Sequence, residues 1–209
     1  MRSRRTLVWS ALFAAILPAA AARGATGYLS RHVSGQLADI TGRPLNPFEP
    51  AGAANVIFFI ATDCPISNSY APEIQRVCRE YGPRGVSCSL IYEDVDTAQP
   101  GTRLDDEVRR HLHDYRYVDI PAAVDRSRII AKQAKASITP QAVVIDRAGT
   151  IRYRGRIDNF YAALGQPRQH VTERDLRNAL DSVLTGRPVP KVETEALGCY
   201  IVDPAMLRK

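Results

Sequence analysis

Val56-Ile57-Phe58-Phe59-Ile60-Ala61-Thr62-Asp63-Cys64-Pro65-Ile66-Ser67 carries the pattern that decides the fold. Its first half, Val56 to Ala61, is an unbroken, short, β-branched and aromatic run, which predicts a strand buried on both faces. A short polar turn follows, and then a helical pattern begins. Cys64 therefore stands at a strand's C-terminal end and a helix's N-terminal end. Backbone N–H groups and the positive end of a helix favour a thiolate there, and the thiolate is the reactive form. Asp63 opposes this, because an adjacent carboxylate raises a thiol pKa. The fourth position of a C-x-x-C pattern that starts at Cys64 is Ser67, so the chain lacks a C-x-x-C pair. A hydroxyl there can hydrogen-bond a thiolate or cap a helix, but it cannot close a disulfide.

Outward from this segment, Gln36 to Leu45 reads as two short strands around Thr41-Gly42. Pro72 to Tyr81 is helical, with Ile74, Val77, Cys78 and Tyr81 on one face, and Gly82, Pro83 and Gly85 end it. Val86 to Tyr92 is the next strand, with Val86, Cys88, Leu90 and Tyr92 sharing a side. Thr102 is a candidate cap for a second helix bearing Leu104, Val108, His111, Leu112 and Tyr115. Ser127 to Ala136 reads as a shorter helix. Ala142–Ile145 and Ile151–Arg154 flank the turn signal Asp146-Arg147-Ala148-Gly149 and predict a hairpin. Thr172 is the expected cap of a last helix containing Leu176, Ala179, Leu180 and Val183, stopped by Gly186 and Pro188. The order predicts an α/β fold: a mixed sheet, parallel in its first half and antiparallel in its second, with helices on both faces.

The two ends differ from this middle. Arg2, Arg4 and Arg5, then the apolar stretch Leu7 to Leu17, then Pro18 and Ala19 to Ala22, form the pattern of a secretory signal peptide over residues 1–22. Ser3-Arg4-Arg5-Thr6-Leu7 fits a twin-arginine signal as well as an ordinary export signal. A cut near Ala22 removes three arginines and lowers the formal charge from +6 to +3, too mild to argue for nucleic acid. No later apolar stretch is long enough to anchor the mature protein in a membrane, so a soluble exported protein is expected, in a periplasm-like compartment. Length and 45% hydrophobic residues suit one domain over residues 23–186. Residues 187–209 form a tail without period that carries Cys199.

The chain resembles the thioredoxin-fold proteins, and within them the redoxin branch that includes peroxiredoxins and exported thioredoxin-like proteins. The resemblance spans about Leu37 to Leu184. It rests on four motifs in order: Thr62-Asp63-Cys64-Pro65-Ile66-Ser67-Asn68, Ile138-Thr139-Pro140, Tyr153-Arg154-Gly155-Arg156-Ile157-Asp158, and Thr194-Glu195-Ala196-Leu197-Gly198-Cys199-Tyr200-Ile201. It implies a three-layer sandwich. It also implies a cis bond at Thr139-Pro140 that lies against Cys64 and turns the Thr139 backbone toward an incoming substrate chain.

Four cysteines in an exported chain allow three full pairings. Cys78 and Cys88 lie on the apolar faces of a helix and a strand, and are expected to be small core residues. Core packing does not call for Cys199 in the tail, so it is the candidate partner of Cys64, the other reading being a free or intermolecular thiol. The expected function is thiol–disulfide exchange with protein or small-molecule thiols, with Cys64 as nucleophile, Ser67, Thr139 and Pro140 around it and Cys199 resolving. Such a protein needs no cofactor. A peroxidase would need P-x-x-x-T-x-x-C, but Ile57 and Ala61 stand at those positions and Thr62 is one residue off. The main rival is a copper-binding protein with Cys64, Cys199 and His111 as ligands, because soft thiolates suit Cu(I). A redox-inert interaction domain with a structural Cys64–Cys199 bridge is the third. Arg154, Arg156 and Asp158 read as a solvated ion-pair network or as residues that hold the tail.

Overall fold

A computed structural model describes residues 36–94, 102–203 and 206. The expected signal segment lies outside them. Elements follow in the order β1 (Leu37–Ala38), β2 (Pro44–Leu45), β3 (Ala54–Ile60), α1 (Pro65–Ser69), α2 (Ala71–Tyr81), β4 (Val86–Tyr92), α3 (Thr102–Asp114), β5 (Ala122–Val124) and α4 (Ile129–Ala134). Then come β6 (Ile138–Thr139), β7 (Gln141–Asp146), β8 (Ile151–Gly155), β9 (Tyr161–Ala163), β10 (Gln166–Pro167), α5 (Asp175–Leu184) and β11 (Cys199–Tyr200). Among the described residues no helix is long and apolar enough to cross a membrane.

The central sheet runs β5-β4-β3-β7-β8. β3 pairs with β4 in parallel and β4 with β5 in parallel, while β7 is antiparallel to both β3 and β8. All seven residues of β3 are buried, as expected of a strand covered on both faces. Alternation splits them between two cores. Val56, Phe58 and Ile60 meet Ile74, Val77 and Tyr81 of α2, Val108 of α3 and Leu176 and Leu180 of α5. Ile57 and Phe59 meet Ile130, Ala131 and Ala134 of α4. This is the three-layer α/β sandwich with a mixed sheet that the sequence predicts.

The β7–β8 turn follows the sequence signal. Asp146 Oδ1 accepts the Ala148 and Thr150 N–H groups at 2.9 Å, and Gly149 takes φ +74°. Two helix starts differ from expectation. α4 opens at Ile129 because Asp125 caps it through the Ile129 and Ala131 N–H groups, both at 2.9 Å, with Arg128 in the left-handed region. α5 opens at Asp175 rather than under a Thr172 cap, because the Thr172 hydroxyl accepts Asn159 Nδ2 at 2.7 Å and the Asp175 carboxylate is held by Arg156. The strand β5 has three residues, too few for a periodic signal.

Cys78 and Cys88 form a disulfide rather than filling the core as free thiols. The tight Gly82–Arg84 turn and Gly85, at φ +84°, bring the end of α2 back onto β4 and leave the two Cα atoms 5.9 Å apart.

Candidate functional site

Cys64 is the N-cap of α1: its sulfur accepts the Ser67 N–H at 3.5 Å, and Pro65 begins the helix. The sulfur is wholly buried and, in its thiol form, donates to the Thr139 carbonyl at 3.2 Å. Thr139-Pro140 is a cis bond. The sequence-predicted residues Cys64, Ser67, Thr139 and Pro140 thus stand where a strand end, a helix start and the β6–β7 corner meet.

The tail completes the site. β11 pairs antiparallel with β6, with Cys199 opposite Thr139 and Tyr200 opposite Ile138, and the Ile201 N–H reaches the Ser137 carbonyl at 2.9 Å. This register, with the Cys64 sulfur on the Thr139 carbonyl, places the Cys199 thiol beside Cys64, close enough for each to shift the other's ionisation. Gly198 is required there, because a Cβ at that position would lie 1.9 Å from the Thr139 carbonyl oxygen.

The electrostatics separate the two thiols. Burial opposes ionisation of Cys64, yet the Cys199 thiol, the Ser67 N–H and the Thr139 side chain outweigh it and hold its pKa below the ordinary thiol value. Cys199 is exposed as a residue, but its thiol is pushed up to about 12, first by partial desolvation, then by Cys64 as hydrogen-bond partner and charge, and then by Asp63. Asp63 thus acts on the Cys199 thiol across the site. The arrangement favours a thiolate at Cys64 and a proton on Cys199.

Ser67 contributes through its backbone. Its hydroxyl is buried without a hydrogen-bond partner, and the capping atom at this helix start is the Cys64 sulfur. Thr62 turns away from the sulfur: its N–H and hydroxyl both go to Asp94 Oδ1. No threonine hydroxyl from that position is offered to a peroxide at Cys64.

His111 does not join the cysteine pair. Its Nδ1 bonds the Tyr92 hydroxyl and its Nε2 bonds Asn68 Oδ1, each at 2.8 Å, and Tyr115 and Tyr117 stack beside it. Burial pushes its pKa down to about 4 against a partial pull from Asp114, so the ring is neutral. Among the described residues no group of three His, Cys, Asp or Glu is arranged to hold a metal ion. The Cys64, Cys199 and His111 copper set is thus not assembled, because the ring is fixed by its tyrosine and asparagine partners.

Arg154, Arg156 and Asp158 are not a freely solvated network. Arg154 ion-pairs with Glu193 of the tail at 2.6 Å and donates to the Ala134 carbonyl at 3.2 Å. Arg156 holds Asp175 and Glu173, each at 2.7 Å. Asp158 accepts the Tyr70 hydroxyl at 2.8 Å, closing a small cleft beside Pro140 that Tyr161 and Leu197 also line. Thr194 stands in the fourth sequence motif without an assigned role, and the structure gives it one: its hydroxyl meets the Tyr153 hydroxyl at 2.6 Å and accepts the Arg156 N–H at 3.1 Å. Gly155 leaves the room for it, since a Cβ there would stand 2.1 Å from the Thr194 hydroxyl.

A feature that sequence reasoning missed is a buried charge cluster at the C-terminal ends of β4 and β5. Arg128, fully buried, donates to the carbonyls of Asp125, Glu93, Asp94 and the tail residue Val202, at 2.6 to 3.0 Å. Its guanidinium lies 3.3 Å from the Glu93 carboxyl, which burial and Asp125 push up to about 9 against the pull of Arg128. A lone arginine in a helical pattern gives no sequence signal of such burial.

Residues 34–154 match the AhpC/TSA family model. No curated protein matches the chain. Among solved structures, a hypothetical protein from Sinorhizobium meliloti 1021 is 26% identical with a TM-score of 0.70, the match covering 82% of this chain and 92% of that one. An uncharacterised conserved protein from Geobacillus kaustophilus is 29% identical with a TM-score of 0.67, covering 81% and 90%. A thioredoxin-like protein from Aeropyrum pernix, 16% identical with a TM-score of 0.51 over 73% and 89%, shares the fold.

Proposed function

The chain belongs to the AhpC/TSA family, and from that membership we propose that it is an exported thiol–disulfide oxidoreductase with Cys64 as nucleophile and Cys199 as resolving cysteine. The observation that carries this reading is the β11–β6 register that sets Cys199 opposite Thr139, next to Cys64 and the cis Thr139-Pro140 bond, with one thiol lowered and the other raised. A low-pKa thiolate attacks, and a nearby thiol of high pKa resolves.

The Cys64 thiolate attacks a substrate disulfide, forming a mixed disulfide and releasing one substrate thiolate. Cys199 then loses its proton to solvent and attacks the Cys64 sulfur. The Cys64–Cys199 disulfide forms, and the second substrate thiolate leaves and takes up a proton. The substrate disulfide is reduced to two thiols while the protein dithiol is oxidised. The reverse sequence oxidises a substrate dithiol, and an external thiol or disulfide resets the pair. Thr139 and Pro140 shape the substrate groove, and Ser67 supplies the N–H that steadies the Cys64 thiolate.

Export is part of the proposal. The N-terminal pattern of residues 1–22 and the Cys78–Cys88 disulfide both support an oxidising compartment, with the mature chain comprising the domain 23–186 and the tail 187–209.

Non-reducing peptide mapping across a glutathione redox series tests the reading. The expected result is a Cys64–Cys199 disulfide that opens at moderate potential, separate from Cys78–Cys88. A Cys64–Cys199 bridge that resists reduction would make it structural. Thiols that never pair would remove Cys199 from the mechanism.

A further inference from the structure

We infer that the tail segment 196–203 is an internal stand-in for a client polypeptide, so that an extended, disulfide-bearing client must exchange with it for the β6 edge. The inference rests on the thiol–disulfide reading above and adds the class of substrate and the route by which it reaches the sulfur.

Four observations carry it. First, β11 forms a two-residue antiparallel ladder with Ile138-Thr139, the edge beside Cys64, extended by the Ile201 N–H to Ser137. An extended client chain would use the same backbone groups, since strand addition at an exposed edge is a general way to bind a peptide. The tail also places a cysteine opposite Thr139, as a client would. Second, with the tail in place Cys64 has no exposed surface. A disulfide cannot approach a sulfur that nothing can touch, so the resting arrangement must open before the first step.

Third, the tail is held unevenly. Its upstream part is fixed: Arg154 N–H to the Val192 carbonyl at 3.0 Å, Thr194 N–H to the Arg154 carbonyl at 3.1 Å, the Arg154–Glu193 ion pair and both Thr194 hydroxyl contacts. Beyond Gly198 the hold is by backbone at β11, by the Thr139 hydroxyl on the Cys199 carbonyl at 3.4 Å and by Ile201, which packs against the core around Ile57 and Phe59. Both β11 residues are exposed, Tyr200 at 81%, and the following contacts are Arg128 to the Val202 carbonyl and Lys132 to Asp203. Fourth, Gly198 lies so close to the Thr139 carbonyl that seating depends on its lack of a side chain. The geometry is that of a strap anchored at Thr194 and lifting at Gly198.

The exchange gives the reaction an order. With the strap lifted, the client pairs with β6 and the Cys64 thiolate displaces one of its thiolates. Cys199 is then away from the mixed disulfide, which persists. When the strap returns, Cys199 attacks the Cys64 sulfur, the client thiolate leaves, and β11 takes back the edge. Bond exchange and client release are one movement.

Alkylation of Cys64 by iodoacetamide in a Cys199→Ser protein, with and without Gly198→Ala, tests the strap. The expected result is an alkylation rate roughly tenfold or more higher with Gly198→Ala, the scale of losing a few backbone hydrogen bonds. Equal rates, within about twofold, would overturn the proposal. Hydrogen exchange on the Cys199→Ser protein carrying glutathione on Cys64 gives a second reading free of the glycine substitution. The Ile201 amide, which bonds the Ser137 carbonyl, should exchange faster while those of β7 stay protected, and its continued protection would overturn the strap. Insulin-disulfide reduction by the unaltered protein separates the two ideas. Gated alkylation without any reduction would refute the oxidoreductase reading and leave the strap standing.

Discussion

Breaking the Cys78–Cys88 disulfide should destabilise this protein by an amount that its geometry sets. The bridge closes a loop with a sequence separation of 10, joining the end of α2 to the middle of β4. The chain-entropy relation for a loop of that size gives about 2.7 kcal/mol at about 25 °C. For a domain of this size each kcal/mol moves the melting temperature by about 2–4 °C, so the expected fall is about 5–10 °C. The comparison is Cys78→Ala/Cys88→Ala against its parent, both in a Cys64→Ser/Cys199→Ser background, so that no other bridge contributes. Thermal unfolding followed by circular dichroism reads the difference. Reducing the parent with excess dithiothreitol should produce the same fall and leave the double alanine variant unmoved. A difference under about 2 °C would refute the reasoning and mean that α2 and β4 hold each other without the bridge.

Two further outcomes follow from the same geometry. His111 is neutral when folded, with its pKa pushed down to about 4, and binds a proton near its ordinary value once unfolded, so its contribution is present above about pH 6.5 and is lost as pH falls toward 4. Between pH 7 and 5 the parent should lose up to about 2 kcal/mol more stability in urea unfolding than His111→Gln, and parallel losses would contradict the burial argument. The buried carboxyls Glu93, Asp94 and Asp158 are shifted upward and act in the opposite sense, which is why the variant is the reference. Ser67→Ala removes a buried hydroxyl that has no partner and spares the N–H, so stability should stay level or rise by up to about 1 kcal/mol, with the Cys64 pKa unchanged. A Cys64 pKa that climbs by about one unit or more in a thiolate absorbance titration would show that the hydroxyl acts on the sulfur after all.

What the sequence determined by itself was the scaffold and the sulfur. The apolar run of β3, the helical face of α2 and the Asp146–Gly149 turn are local signals, written in periodicities of two and 3.6 and in turn chemistry, and they survive into the structure because burial and local preference agree. Cys64 was legible for the same reason: a strand end followed by Pro65 fixes where the chain turns. Everything that depends on which surfaces meet was decided by tertiary structure. Cys78 and Cys88 each fit an apolar face, and only the folding of α2 back onto β4 turned two core positions into a bridge. His111 was a conceivable ligand until Tyr92 and Asn68 took both its nitrogens. The tail has no period because its order is borrowed. Thr194 is held by Tyr153 and Arg156, and β11 exists only against β6, so the segment carries no pattern of its own. Sequence periodicity reports contacts that repeat along one element, whereas Cys64 and Cys199 stand 135 positions apart and come side by side only through the rest of the fold.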